Sequence, residues 1–338
     1  MKHKPLILLV IAIGTLIAMI LFIGPGNIEN ALKLANPWYV AIAIIIQLTV
    51  YGFWTWRWSI NIKSVGISVK KIHIFPMLMV GLAINNLTPS ARGGGEPIRG
   101  YILSKYSNSS FEKSFATVMA DRGLDTFPFI VLAVITIVAA VFYLNLPDYA
   151  VYTLIIAVVV LLAVFLIAIY MSFNLEFGRK VSLWLVNIIK RFSKKDRSKL
   201  EENAQKAVHG FQKSMRTMVK DRSVMAYGLP FSFLIWILEI IRVYVIFSAF
   251  NVELSLLLIA EVFIISTLIG LIPLLPGGLG AVDGVMIILF SAAGVPPPIS
   301  AAATIVERLI SFWLTSIIGI ALLPYFGTGV VEKITRKV

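Results

Sequence analysis

The chain has 338 residues, 59% of them apolar and 14% charged, and its 30 Lys and Arg outnumber its 17 Asp and Glu. Soluble domains are nearer half apolar and a quarter charged, so an ordinary water-soluble fold is excluded, and the basic excess reads as membrane orientation rather than nucleic-acid binding. Zero cysteines and three histidines leave no material for disulfides, thiol catalysis, thiolate metal sites or a histidine cage, and no cofactor is expected.

The first apolar run, 6–23, follows Met1-Lys2-His3-Lys4. It is too long for a signal peptide and lacks a small-x-small cleavage site, which predicts a retained helix. Further membrane-length helices are expected at 37–58, 115–144, 149–173, 226–250 and 298–326, since about 20 apolar residues cross a hydrocarbon layer of about 30 Å. Between them lie two apolar stretches, 72–110 and 254–296, broken by Thr88-Pro89-Ser90-Ala91-Arg92-Gly93-Gly94-Gly95-Glu96-Pro97 and by Pro273-Leu274-Leu275-Pro276-Gly277-Gly278-Leu279-Gly280. Each reads as a re-entrant hairpin, because non-helical backbone at membrane depth must be buried in protein or line a wet cavity. The segment 176–222 is basic, with Val181, Trp184, Leu185, Ile188, Ile189 and Phe192 on one helical face. It reads as a cytoplasmic amphipathic element on the inner leaflet, in the first instance an orientation signal and anchor. With the N-terminus inside, every Lys and Arg except Lys33, Arg242 and Arg308 falls in a cytoplasmic segment. The expectation is a multi-pass protein of the cell membrane with both termini cytoplasmic.

A shift of about 186 residues superposes the two halves of the chain. Arg57 falls on Arg242, Pro89 on Pro276, Glu96 on Asp283, Asp121-Arg122 on Glu307-Arg308 and Phe127 on Trp313. Residues 37–144, with hairpin 72–110, form one repeat, and 226–326, with hairpin 254–296, the other. Their opposite directions through the bilayer make an inverted-topology repeat, a plan that places a binding site near the midplane between broken helices. The fold expected is therefore a single all-α polytopic membrane domain, 1–338, of about six full transmembrane helices plus two re-entrant helical hairpins.

Charges inside a bilayer cost about 2.5–3.5 kcal/mol each on insertion scales and call for partners or water. Those in the apolar stretches are Glu96, Arg99, Asp121, Arg122, Asp125, Glu239, Arg242, Glu261, Asp283, Glu307 and Arg308, four arginines against seven acids. Glu239 and Arg242, and Arg122 and Asp125, are three apart and suited to pairing on one helix. Adjacent Asp121-Arg122 and Glu307-Arg308 point about 100° apart, and the repeat suggests that they pair reciprocally, Asp121 with Arg308 and Glu307 with Arg122. Return helices starting near Pro97 and Ala281 would present free N–H groups to an anion, unless Glu96 and Asp283 cap them.

These motifs resemble a known family, the flippase-like membrane proteins that share the transmembrane region of lysylphosphatidylglycerol synthase. The resemblance rests on Asn85-Asn86-Leu87-Thr88-Pro89, Arg92-Gly93-Gly94-Gly95-Glu96-Pro97-Ile98-Arg99, Asp121-Arg122 with Asp125, Pro276-Gly277-Gly278-Leu279-Gly280 with Asp283, and Glu307-Arg308. It implies translocation or handling of a polar lipid head, and without an aminoacyl-transferase domain after residue 338 lipid aminoacylation is not expected. The function expected is a lipid flippase or scramblase that is not an enzyme. Its partners would be membrane lipids, anionic or zwitterionic phospholipid or polyprenyl-phosphate lipid; oligomeric state stays open, a homodimer included. Arg92, Gly93, Gly94, Gly95, Glu96, Arg99, Arg122, Gly277, Gly278, Gly280, Asp283 and Arg308 are the expected headgroup contacts. Asp121, Asp125, Glu239, Arg242, Glu261 and Glu307 are the expected gating or coupling groups. A carrier of a small soluble ion and a membrane enzyme acting on lipid phosphate are the alternatives; no Walker-type loop is present.

Overall fold

The computed structural model describes residues 21, 24–88, 94–143, 148–190, 197–272 and 276–327. Among these residues the chain is all helical, without strands. In order run α1 (Pro25–Lys33), α2 (Pro37–Ser64), α3 (Lys71–Leu87), α4 (Glu96–Ser107), α5 (Phe111–Tyr143) and α6 (Asp148–Phe173). Then come α7 (Leu175–Lys190), α8 (Arg197–Lys220), α9 (Arg222–Ser248), α10 (Leu256–Gly270), α11 (Ala281–Ala292) and α12 (Pro297–Phe326), which holds a π turn at Leu309–Trp313. Five of them, α2, α5, α6, α9 and α12, are long and apolar enough to cross a membrane. The sixth expected crossing, 6–23, lies outside the described residues.

Local chemistry sets the helix starts. Asn36 accepts a hydrogen bond from Trp38 N and is followed by Pro37, Asp221 accepts from Ser223 N, and Ser255 accepts from Leu258 N; such caps satisfy N–H groups that a first turn leaves open. Three helices keep an internal proline, Pro76 in α3, Pro128 in α5 and Pro230 in α9, a residue that membrane helices tolerate when neighbours re-satisfy the freed backbone. Lys33, outside the expected cytoplasmic segments, lies on α1 and pairs with Glu29 at 2.7 Å, and the basic segment 176–222 comprises the two helices α7 and α8.

The apolar interior forms two clusters. One holds Trp58, Met77, Leu78, Ile102, Leu103 and Val118; the other holds Phe129, Val243, Phe247, Ile264, Phe290 and Ala302. Along α5 the first cluster ends at Leu124 and the second begins at Phe129, so Asp121 and Asp125 sit at the change-over. On α2, Gln47 and Arg57 lie between Ala43 of one cluster and Trp58 of the other. Lipid tails are as apolar as leucine, so close packing rather than hydrophobic transfer holds such a core. It is visible where Gly319 of α12 rests on Met79 and Ala83 of α3. α6 stands apart, with only 11% of its most apolar stretch buried.

Contacts between helices are reciprocal. α2 packs along α9, α3 along the end of α12, and α10 along α5; α4 packs on α5 as α11 packs on α12.

Candidate functional site

Between the two clusters lies a cavity of about 710 Å³. Its charged lining is Arg57, Arg99, Arg122, Arg242 and Arg308 against Asp121, Asp125, Glu239 and Glu307. Five arginines against four carboxylates leave it formally positive, opposite to the acid-rich balance counted from the sequence. The shift comes mainly from Glu96, Glu261 and Asp283, which do not line the cavity, and for the rest from the added Arg57. Its position near the end of the expected helix 37–58 placed it in a cytoplasmic loop, but α2 continues to Ser64 and Arg57 is 2% exposed. Arg99 and Arg122, also counted with the cytoplasmic segments, line the same cavity.

The ion pairs correct the expected reciprocal scheme. Asp121 is shared by two arginines, Oδ1 accepting from Arg57 Nε at 2.8 Å and Oδ2 from Arg99 Nη2 at 3.1 Å. Arg57 Nη1 continues to Asp125 Oδ1 at 2.9 Å and Ser232 Oγ at 2.9 Å. Glu307 receives Arg242 Nη2 at 2.8 Å, and Arg242 Nη1 also donates to Gln47 and Glu239. Asp121 and Glu307 therefore pair with the arginines of their own halves, Arg57 and Arg242, which the sequence shift had superposed. Arg308 instead donates from Nη2 to the Gly277 carbonyl at 3.0 Å and brings Nε to 2.9 Å from Asp283 Oδ1. Arg122 lies 3.3 Å from Glu96 Oε1 and 4.0 Å from Asp125 Oδ2. The pair Glu239–Arg242 forms as expected from its spacing.

Glu96 and Asp283 thus sit behind arginines rather than on the cavity wall. Asp283 Oδ2 caps α11 by accepting from Gly280 N at 2.7 Å. At α4 the equivalent work is done by Asn85, whose Oδ1 accepts from Gly95 N at 2.6 Å while its Nδ2 donates to Glu96 Oε1 at 3.1 Å. Both donors are already taken, so these two N–H groups do not form an open anion seat. Arg92 and Gly93 lie outside the described residues. Gly94 is in the bend before α4. Gly95 abuts Gly81 so closely that any side chain would strike the Gly81 carbonyl. Gly277 lines the cavity with φ 55°, and Gly278 and Gly280 also turn with positive φ before α11, where L side chains are disfavoured. Glu261 on α10 is 1% exposed, away from the cavity lining, and among the described residues neither carboxylate oxygen has a hydrogen-bond partner.

Aromatic rings hold two of the arginines: the Arg99 guanidinium stands 4.2 Å from the Trp58 ring centre and that of Arg308 stands 4.8 Å from Phe312. The π turn at Leu309–Trp313 follows directly on Arg308, and Ser311, Phe312 and Thr315 all face the cavity; single π turns recur at functional sites. Among the described residues, five buried groups of the lining have no hydrogen-bond partner, namely Trp54 Nε1, Ser266 Oγ and the Nε of Arg99, Arg242 and Arg308, the last of them in ionic contact with Asp283. All five can donate, and the four atoms without an ionic contact offer donors to an acceptor-rich guest.

The opposite wall is apolar. Ala157, Val160, Leu161 and Val164 of α6 line the cavity, yet Val160 is 55% and Val164 58% exposed. The cavity therefore reaches the protein surface sideways, beside the least buried of the long apolar helices.

The family described as "Lysylphosphatidylglycerol synthase TM region" matches residues 7–319. The chain is 56% identical over 337 residues to a UPF0104 membrane protein of Methanothermobacter thermautotrophicus, covering 100% of both chains. It is 32% identical over 317 residues to one of Methanocaldococcus jannaschii, covering 94% of this chain and 93% of the relative. It is 29% identical over 326 residues to one of Pyrococcus horikoshii, covering 92% and 94%.

Proposed function

From the premise that the chain belongs to the lysylphosphatidylglycerol synthase TM-region family, a multi-pass membrane family associated with lipid flipping, we propose that it moves the polar, phosphate-bearing head of a lipid through the arginine-lined cavity while the tails remain in the bilayer. The observation that carries this reading is the sideways opening: the charged wall is reached past Val160 and Val164 of α6. A soluble ion needs an aqueous entrance, whereas a lipid enters from the membrane with its head in the cavity and its chains along an apolar helix. Arg122, with 35% of its side chain exposed, is the first guanidinium such a head would meet, and the unpartnered donors would complete its phosphate contacts. The protein acts in this reading as a transporter, not an enzyme, and its partners are phospholipids or polyprenyl-phosphate lipids.

The inverted repeat supports the same reading. α4 and α11 have 12 residues each, about 18 Å of helix at 1.5 Å per residue, too short for a layer of about 30 Å. They and their partners α3 and α10 fit two re-entrant hairpins. The reciprocal packing of α3 on α12 and α10 on α5, and the matched pairs Arg57–Asp121 with Arg242–Glu307 and Arg122–Glu96 with Arg308–Asp283, follow a pseudo-two-fold plan. The basic α7–α8 element then faces the cytoplasm, as do both termini.

Reconstitution into liposomes with headgroup-labelled phospholipid tests the proposal. Arg122→Ala and Arg308→Ala should each slow leaflet exchange roughly tenfold or more, the worth of one hydrogen bond to a charged group at about 1.5–3 kcal/mol. Exchange that survives both substitutions dismisses the site; uptake of a soluble anion, or release of phosphate without exchange, dismisses the lipid-transport reading.

A further inference from the structure

A second pocket lies away from the cavity, at the end of α6 where Phe173 closes the helix. It encloses about 250 Å³ and is lined by His209, Lys213, Arg216, Thr217 and Lys220 of α8, with Leu175 of α7. Positions 209, 213, 216 or 217 and 220 fall on one helical face, so α8 turns a single basic stripe into this space. Among the described residues no carboxylate lines it, and Lys213 and Lys220 form no ion pair, whereas Lys206 on the same helix is paired with Glu202 at 2.5 Å.

The stripe is held at a fixed height relative to α6. Arg216 Nη2 donates to the Phe173 carbonyl at 2.7 Å, and Gln212 Nε2 donates to the carbonyls of Met171 at 2.7 Å and Asn174 at 2.9 Å. Those bonds satisfy carbonyls that a helix end leaves open, and they pin the basic face to the last turn of an apolar helix. Just before that turn, Ile167 and Tyr170 are exposed, and the Tyr170 ring packs 5.1 Å from Phe177. Tyrosine at a helix end marks the level where acyl chains give way to headgroups. The pocket therefore combines three full positive charges, no acid among the described lining residues and an apolar flank that continues along α6.

We propose that this pocket is a second lipid site, one that binds the phosphate of an anionic phospholipid from the leaflet at the α6 C-terminus, with Lys213, Arg216 and Lys220 around the head and the acyl chains along Ile167 and Tyr170. This lipid is resident rather than transported, and it fixes the α7–α8 pair to the bilayer. The inference does not rest on the transport reading. A free phosphate ion would find the same charges but gain nothing from the apolar flank.

Native mass spectrometry of the full chain, titrated in detergent with phosphatidylglycerol, phosphatidylcholine or inorganic phosphate, tests it. Wild type should retain one tightly held phosphatidylglycerol that Lys213→Gln/Lys220→Gln holds roughly 30-fold more weakly, the equivalent of about 1 kcal/mol for each lysine lost. Lys206→Gln, off the pocket, and Arg122→Ala, in the transport cavity, should both keep that lipid. Equal retention by the double variant, equal retention of phosphatidylcholine, or displacement by inorganic phosphate at the lipid's own concentration overturns the proposal.

Discussion

Asp121→Asn and Glu307→Gln remove equivalent charges from the two halves, yet the structure predicts unequal costs. Asp121 spends one carboxylate oxygen on Arg57 and the other on Arg99, so an amide in its place must turn an N–H₂ group toward one of two buried guanidinium groups. Arg57 keeps Asp125, but Arg99 loses the one acid that lies within ion-pair distance of it among the described residues. Breaking a buried pair and leaving its partner uncompensated costs about 3–5 kcal/mol. Glu307 instead uses Oε1 alone for Arg242, which also holds Glu239 and Gln47. A glutamine presents its carbonyl there, and the loss should stay near 1–2 kcal/mol, at the low end for a hydrogen bond to a charged group. At about 2 °C per kcal/mol for a chain of this length, Asp121→Asn should lower the unfolding midpoint by about 6–10 °C and Glu307→Gln by about 2–4 °C. Tryptophan fluorescence suits the measurement, since the chain has seven tryptophans and no cysteine for thiol dyes. Equal shifts, or a larger one for Glu307→Gln, would refute the argument from oxygen count.

Gly95→Ala should destabilise by about 1–3 kcal/mol, the usual cost of forcing atoms into a filled space, because a methyl group there meets the Gly81 carbonyl; an unchanged midpoint would show that α4 can shift away from α3. Val160→Trp should slow lipid exchange by crowding the opening while leaving the unfolding midpoint within about 2 °C, as expected for an exposed position; full exchange would place the entrance elsewhere. The two hydrogen bonds from Ser223, first through its hydroxyl and then its backbone N–H, hold the Asp221 carboxyl below its ordinary value. Its cap on α9 is therefore fully present above the unfolded value of about 3.9 and fades as pH falls through the lower folded value. Asp221→Ala should lose about 1 kcal/mol at neutral pH, and Asp221→Asn should keep the cap and lose its pH dependence, both read by thermal unfolding across an acid series.

Apolar run length sufficed for the long helices, and the Gly and Pro breaks marked the paired short ones, because both features are local. The stretch 72–110 holds helices at 71–87 and 96–107, and 254–296 holds helices at 256–270 and 281–292. Arg57 was misplaced because a charge near the end of an apolar run looks like a loop; burial of Trp58, Asn61 and Ile62 carries α2 onward and takes the arginine with it. The superposition of Arg57 on Arg242 was the available sign of its role. Choosing Arg57 rather than Arg308 as the partner of Asp121 depends on which helix faces lie opposite, information that spacing along a chain does not contain. Gln47 and Ser232 escaped notice, and Asn85 stood in the family motif without a bonding role, for a related reason: an uncharged polar residue in an apolar helix is unremarkable until its bonds to charged groups are seen.

The division of the apolar interior bears on how such a protein changes shape. Sliding either greasy block over itself would forfeit many small dispersion contacts at once. At the waist between them, Asp121 already touches two guanidinium groups and Arg57 two carboxylates, so a small tilt trades one ionic contact for its neighbour. Relative displacement of the two blocks is therefore expected to cost less at this ionic seam than within either block, and α6, with 11% of its most apolar stretch buried, adds little packing to oppose it.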